Sequence, residues 1–94
     1  MSKVNTTVKP AVTDTMKVKI YAPFEIYYEG VANSLSAVNL TGPFDVLPHH
    51  KNFMSLLQSG TIVVRSEGKP DFNMQITRGI AHVKADQVTI FLDV

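Results

Sequence analysis

Met16-Lys17-Val18-Lys19-Ile20 alternates apolar and charged residues with a period of two, and this run decides the fold class. Successive side chains of a strand point to opposite faces, so the pattern describes a strand with one buried and one wet face. The same signature recurs along the chain. Phe24, Ile26 and Tyr28 alternate with Glu25, Tyr27 and Glu29, and Phe44 and Val46 flank Asp45. Phe72, Met74 and Ile76 alternate with Asn73, Gln75 and Thr77, and Val88, Ile90 and Leu92 form the last run. Residues 34–40, 61–65 and 80–83 supply further short strands, the second rich in β-branched side chains. Turn signals separate them: Ala22-Pro23, Gly30, Thr41-Gly42-Pro43, Pro48, Gly60, Glu67-Gly68-Lys69-Pro70, Gly79 and Ala85-Asp86-Gln87. Short strands at roughly 8–12-residue intervals predict an all-β fold, a sandwich or barrel, and the architecture expected for residues 16–94 is a small antiparallel β-sandwich. The predicted core comprises Val18, Ile20, Phe24, Ile26, Val46, Ile62, Phe72, Met74, Ile76, Val88, Ile90 and Leu92. Phe53-Met54-Ser55-Leu56-Leu57 is ambiguous, since its apolar spacing fits one helical turn but the run is too short to stand alone as a helix.

With 94 residues the chain suffices for one small domain. Residues 1–15 are polar, contain Pro10 and lack a bulky aromatic anchor, so they read as a flexible tail, with residues 16–94 as the folded domain. The absence of cysteine removes disulfides and thiolate chemistry, and suits a reducing compartment. The net charge of +1, with acids and bases interspersed, argues against a dedicated nucleic-acid surface. No apolar run approaches the ~20 residues of a membrane-spanning helix, and the first residues resemble no leader sequence. The Asn-x-Thr triplets at Asn5 and Asn39 are therefore read as chance matches.

The middle of the chain, Thr41-Gly42-Pro43-Phe44-Asp45-Val46-Leu47-Pro48-His49-His50-Lys51-Asn52-Phe53-Met54-Ser55-Leu56-Leu57, resembles the Gly-x-Phe-Asp to Ser-Leu-Leu segment of ATP synthase epsilon subunits. Ile76-Thr77-Arg78-Gly79-Ile80-Ala81-His82-Val83 and Val88-Thr89-Ile90-Phe91-Leu92 resemble the two strands that follow it there. These pieces keep the family's order from about residue 17 to 94. The family usually has glycine at the places of His49 and Arg78, which implies a tolerated left-handed backbone or an altered turn at each.

The resemblance implies the N-terminal β-sandwich of that subunit, a non-catalytic part that locks the gamma subunit to the membrane c-ring within the rotor. It implies a cytoplasmic-face location on a bacterial inner membrane, peripheral and soluble when isolated, with no cofactor or metal. The Thr41-Gly42-Pro43-Phe44 turn corresponds to the loop facing the c-ring. His50 corresponds to a histidine near the gamma contact, with Pro48 and His49 beside it. Phe44 and Phe53 are either aromatic anchors for a partner or core residues. The family's inhibition and nucleotide binding belong to a C-terminal helical hairpin outside this sequence, so neither is expected here.

Other chemistry finds little support. His49-His50 with His82 lacks the carboxylates that would complete a metal site. Glu25 and Glu29, four apart on one predicted strand face, read as solvated, and Ser55 or Ser59 near His50 lacks the third group of a nucleophile system. The alternative to the rotor reading is a stand-alone sandwich or barrel acting as an adaptor or oligonucleotide binder. That reading requires Tyr21, Tyr27 and Tyr28 to stack bases beside Lys17 and Lys19. Calorimetric titration with ATP is expected to show no tight binding, and sub-micromolar affinity would contradict the assignment of nucleotide binding to the hairpin.

Overall fold

A computed structural model describes residues 14–49 and 52–93 of the chain. The opening alternation forms β1 (Met16–Ala22), followed by β2 (Glu25–Ala32), β3 (Ser34–Asn39), β4 (Gly42–Val46) and β5 (Phe53–Leu57). Then come β6 (Gly60–Arg65), β7 (Phe72–Ile76), β8 (Gly79–Lys84) and β9 (Gln87–Leu92). Hydrogen bonding runs β2-β1-β9-β8-β5-β3-β6-β7, with β4 on β3. The sheet turns over at the β3–β5 corner, where Asn39 opposite Leu57 and the Gln58 N–H bond to the Val38 carbonyl at 2.9 Å join the halves. Two layers result, β2-β1-β9-β8-β5 and β4-β3-β6-β7, as the all-β sandwich reading expects. Among the described residues one pair departs from the antiparallel pattern: β1 and β9 run parallel, Val18 beside Val88 and Ile20 beside Ile90.

The inward residues of both layers form one apolar cluster, led by Ile20, Leu35, Leu57, Ile62, Ile90 and Leu92. Each such side chain contributes about 1.5–3 kcal/mol on burial, so this cluster carries the fold. Aromatic pairs seal both open seams of the sandwich. Tyr28 of β2 meets Phe72 of β7 with ring centroids 5.1 Å apart, and Phe44 of β4 meets Phe53 of β5 at 6.1 Å. The Ser66 hydroxyl donates to the Val31 carbonyl at 2.8 Å beside the first seam.

Most of the predicted core is confirmed, with Phe72 and Met74 half-buried at its margin. Phe24 and Ile26 are corrections. Phe24 lies in the turn between β1 and β2 and is fully exposed, as the Pro23-Phe24 pair forms the tip instead of starting the strand. Ile26 is 53% exposed because a β-bulge intervenes. Tyr28 pairs with Ile20 but Ile26 pairs with Tyr21, leaving Tyr27 as the extra residue. One extra residue reverses the phase of a period-two pattern, so Ile26 joins the outer face. The same bulge separates Glu25, opposite inward Ala22, from Glu29, opposite outward Lys19. They do not share a face. The ambiguous Phe53–Leu57 segment is strand β5, paired with β8 from Phe53–Val83 to Leu57–Gly79.

Gly79 shows how tightly β8 fits. A Cβ there would sit 2.9 Å from the Phe91 carbonyl oxygen and 3.0 Å from Leu92 Cδ2. Gly79→Ala is expected to cost about 1–3 kcal/mol by forcing β8 from β9, read as a lower urea midpoint with an unchanged slope. Ile90→Ala, at the centre of the core, should cost about 2–5 kcal/mol.

Candidate functional site

The strand registers sort the connections onto two ends of the sandwich. One end holds residues 23–24, 40–41, 58–59 and 77–78, together with Asp93. The other holds Asp14, Asn33, residues 66–71, the 85–86 turn and the β4–β5 connection. The predicted contact residues divide between them. Thr41, Gly42 and Pro43 lie at the first end, and Pro48 and His49 at the second, joined by β4. Five residues of strand span about 17 Å. His50 lies outside the described residues.

At the first end the turn is built by Asn39. Its Oδ1 accepts the Thr41 N–H at 2.9 Å and the Thr41 hydroxyl at 2.7 Å, an arrangement that closes a tight turn from a side chain. Its Nδ2 donates to Ser55 Oγ at 3.2 Å. Gly42 then takes φ 120°, a conformation closed to most side chains. Thr41 and Pro43 are exposed, whereas Phe44 is half-buried opposite Ala37 and against Phe53. Phe44 and Phe53 thus serve the seam, with only part of each ring left to a partner.

At the second end Asp86 gathers three segments. Its carbonyl accepts the Lys17 N–H at 2.8 Å, and its Oδ1 accepts the His49 N–H at 2.8 Å. The His49 ring stands 3.4 Å from Asp86 Oδ1 and 3.6 Å from Asp14 Oδ1. Asn52 Oδ1 accepts the Ala85 N–H at 2.7 Å, holding a turn in which Ala85 has φ 54°. His49 takes φ 67°, the left-handed backbone that a residue in a glycine's place implies. Arg78 does not. It lies outside the positive-φ residues and reaches Asp93 at 3.0 Å.

The sequence reading missed the outer face of the first layer. Direct cross-strand partners place Ile26, Tyr21, Phe91, Ile80 and Leu56 in one row across β2, β1, β9, β8 and β5. Tyr21 and Phe91 meet edge to face at 5.2 Å, and Ile26, Ile80 and Leu56 are exposed. The row ends in a recess of about 330 Å³ beside Leu56, Arg78, Ile80, Phe91 and Asp93. Its signal was legible in β5 and β9, where both phases of the alternation carry apolar residues, a pattern that exposes one set. Flat apolar surface of this kind suits docking, not chemistry.

Catalytic and metal chemistry find no assembled set. Among the described residues, no three His, Cys, Asp or Glu side chains are grouped to hold a metal. The three tyrosines do not line one stacking surface, since Tyr21 faces outward while Tyr28 packs inward against Phe72.

Residues 15–94 match the family described as ATP synthase, Delta/Epsilon chain, beta-sandwich domain. Relatives named ATP synthase epsilon chain include one from Brevibacillus brevis, 27% identical over 78 residues, covering 83% of this chain and 59% of the relative. Another, from Helicobacter acinonychis, is 31% identical over 78 residues and covers 83% and 63%. The chain thus spans about three fifths of the length of these curated relatives. The fold resembles a chain of the Tetrahymena thermophila mitochondrial ATP synthase central stalk/c-ring structure, with TM-score 0.73, 16% identity and coverage of 84% and 63%. It also resembles a chain of the Euglena gracilis mitochondrial ATP synthase OSCP/F1/c-ring structure, with TM-score 0.78, 18% identity and coverage of 98% and 59%. By the match over residues 15–94, this chain belongs to the β-sandwich domain family of ATP synthase delta/epsilon chains.

Proposed function

We propose that this chain is a coupling module in the rotor of an F-type ATP synthase, a non-catalytic spacer between gamma subunit and c-ring. The observation carrying the reading is the division of the contact loops. Thr41-Gly42-Pro43 and Pro48-His49 occupy opposite ends of one sandwich, linked by β4, so two partners are engaged without competing for one surface. Family membership and the names of the relatives support the same assignment. The first end faces the c-ring and the second faces gamma.

Torque transmission asks for stiffness, and the shared core with both seams closed by aromatic pairs supplies it. Residues 16–94 form the module, and residues 1–13 of the expected tail lie outside the described residues. No helix among the described residues is long and apolar enough to cross a membrane, so association with the cytoplasmic face of a bacterial inner membrane runs through the partners. The separated tyrosines leave the oligonucleotide-binding alternative without its stacking platform.

Binding measurements with the cognate gamma subunit and with detergent-solubilised c-ring test the reading. Pro43→Asp should weaken binding to c-ring by about tenfold and leave gamma binding intact, while His49→Ala should do the reverse. Both sites are exposed, and the His49 contacts with Asp14 and Asp86 are of a kind contributing at most about 1 kcal/mol, so thermal midpoints should move by no more than about 4–8 °C. Absence of wild-type binding to either partner, or a shared loss for both partners from either substitution, contradicts the two-ended assignment.

A further inference from the structure

Two apolar side chains at the end carrying the Thr41-Gly42-Pro43 loop are left in water by the fold. Phe24, at the tip of the β1–β2 turn, is 101% exposed, and Leu40, in the β3–β4 turn, is 81% exposed. The registers place the two tips on the same end but at different corners. Tyr28 packs on Phe72 at one seam and Phe44 on Phe53 at the other, so β2 lies over β7 and β5 over β4. The β1–β2 tip and the β3–β4 tip are therefore about 15–20 Å apart, given strand and layer spacings of about 4.8 and 10 Å.

The chemistry of this end is apolar and nearly neutral. Exposed Pro23, Pro43 and Ile26 flank the tips, and Arg78 is tied to Asp93 at 3.0 Å. Glu25 is the nearby carboxylate following the Phe24 tip. No lysine stands in these two turns to favour an anionic lipid surface. A single contact loop would act as a pivot, about which the sandwich turns without transmitting torque. A second contact about 15–20 Å away on the same end resists that rotation by its lever arm.

Resting on the coupling reading above, we infer that Phe24 is a second anchor on the c-ring, forming with Leu40 a two-pronged foot that fixes the orientation of the sandwich. The occupant is the ring's protein surface.

The test uses the full chain and detergent-solubilised cognate c-ring, with protein-free phospholipid vesicles as a second arm. Phe24→Ser and Leu40→Ser should each weaken ring binding by about tenfold, while Phe24→Leu retains most of it. Exposed side chains leave the thermal midpoint in place, which separates lost contact from lost fold. If Phe24→Ser binds the ring like wild type while Pro43→Asp still loses it, the second anchor is overturned and the coupling reading stands. If wild type fails to bind the ring, both fall. If Phe24→Ser loses vesicle binding but keeps ring binding, the tip contacts lipid and the inference is overturned.

Discussion

The parallel pairing of β1 with β9 is the constraint on which the rest of the structure depends. It joins the beginning of the domain to its end, with Lys17 beside Gln87 and Tyr21 beside Phe91. Without it, the β1–β2 hairpin has no neighbour in the first layer, and Val18 and Ile20 lose the Val88 and Ile90 side chains beside them. Bringing together ends so far apart in sequence costs only about 2 kcal/mol more than closing a short turn, because closure entropy grows slowly with length. The core on the inner face then offsets that cost. The pairing also fixes the directions of β9, β8 and β5 relative to β1, and so decides which turns meet at which end.

From that direction follows the separation of the two predicted contact loops. β9 runs the same way as β1, so β8 and β5 begin and finish where the registers dictate, and β3 delivers the Leu40-Thr41 turn to the Phe24 end. The opposite end gathers around Asp86, which accepts N–H groups from Lys17 and His49. His49 takes a left-handed backbone at φ 67°. Its N–H bond to Asp86 is consistent with that geometry being held from outside the loop. Function in the proposed reading is mechanical, and geometry is what the module contributes.

Much of this was legible in the residues. Lys17 and Lys19 between Met16, Val18 and Ile20 announce a half-buried strand, and Val88, Ile90 and Leu92 announce another; both lie where expected. The central segment from Thr41 to Leu57 carried the family. What escaped was non-local or a matter of one residue. The bulge at Tyr27 leaves no mark in composition, yet it sends Ile26 outward and splits Glu25 from Glu29. Phe24 reads as core by its type, but its position after Pro23 makes it a turn tip. The parallel β1–β9 pair has no local signature, since partners some seventy residues apart are chosen by the whole fold. The outer row from Ile26 to Leu56 exists only once five strands are in register, although Phe91 between Ile90 and Leu92 hinted at a second apolar face.

The absence of native cysteine makes the central claim directly measurable. A single cysteine at position 43 or 49, in the chain assembled with cognate gamma subunit and c-ring, would be the chain's one thiol for a short cross-linker. The account predicts that Pro43→Cys links to a c-ring subunit and not to gamma, and that His49→Cys links to gamma and not to the ring. Both variants linking to the same partner would contradict a sandwich that spans from one to the other.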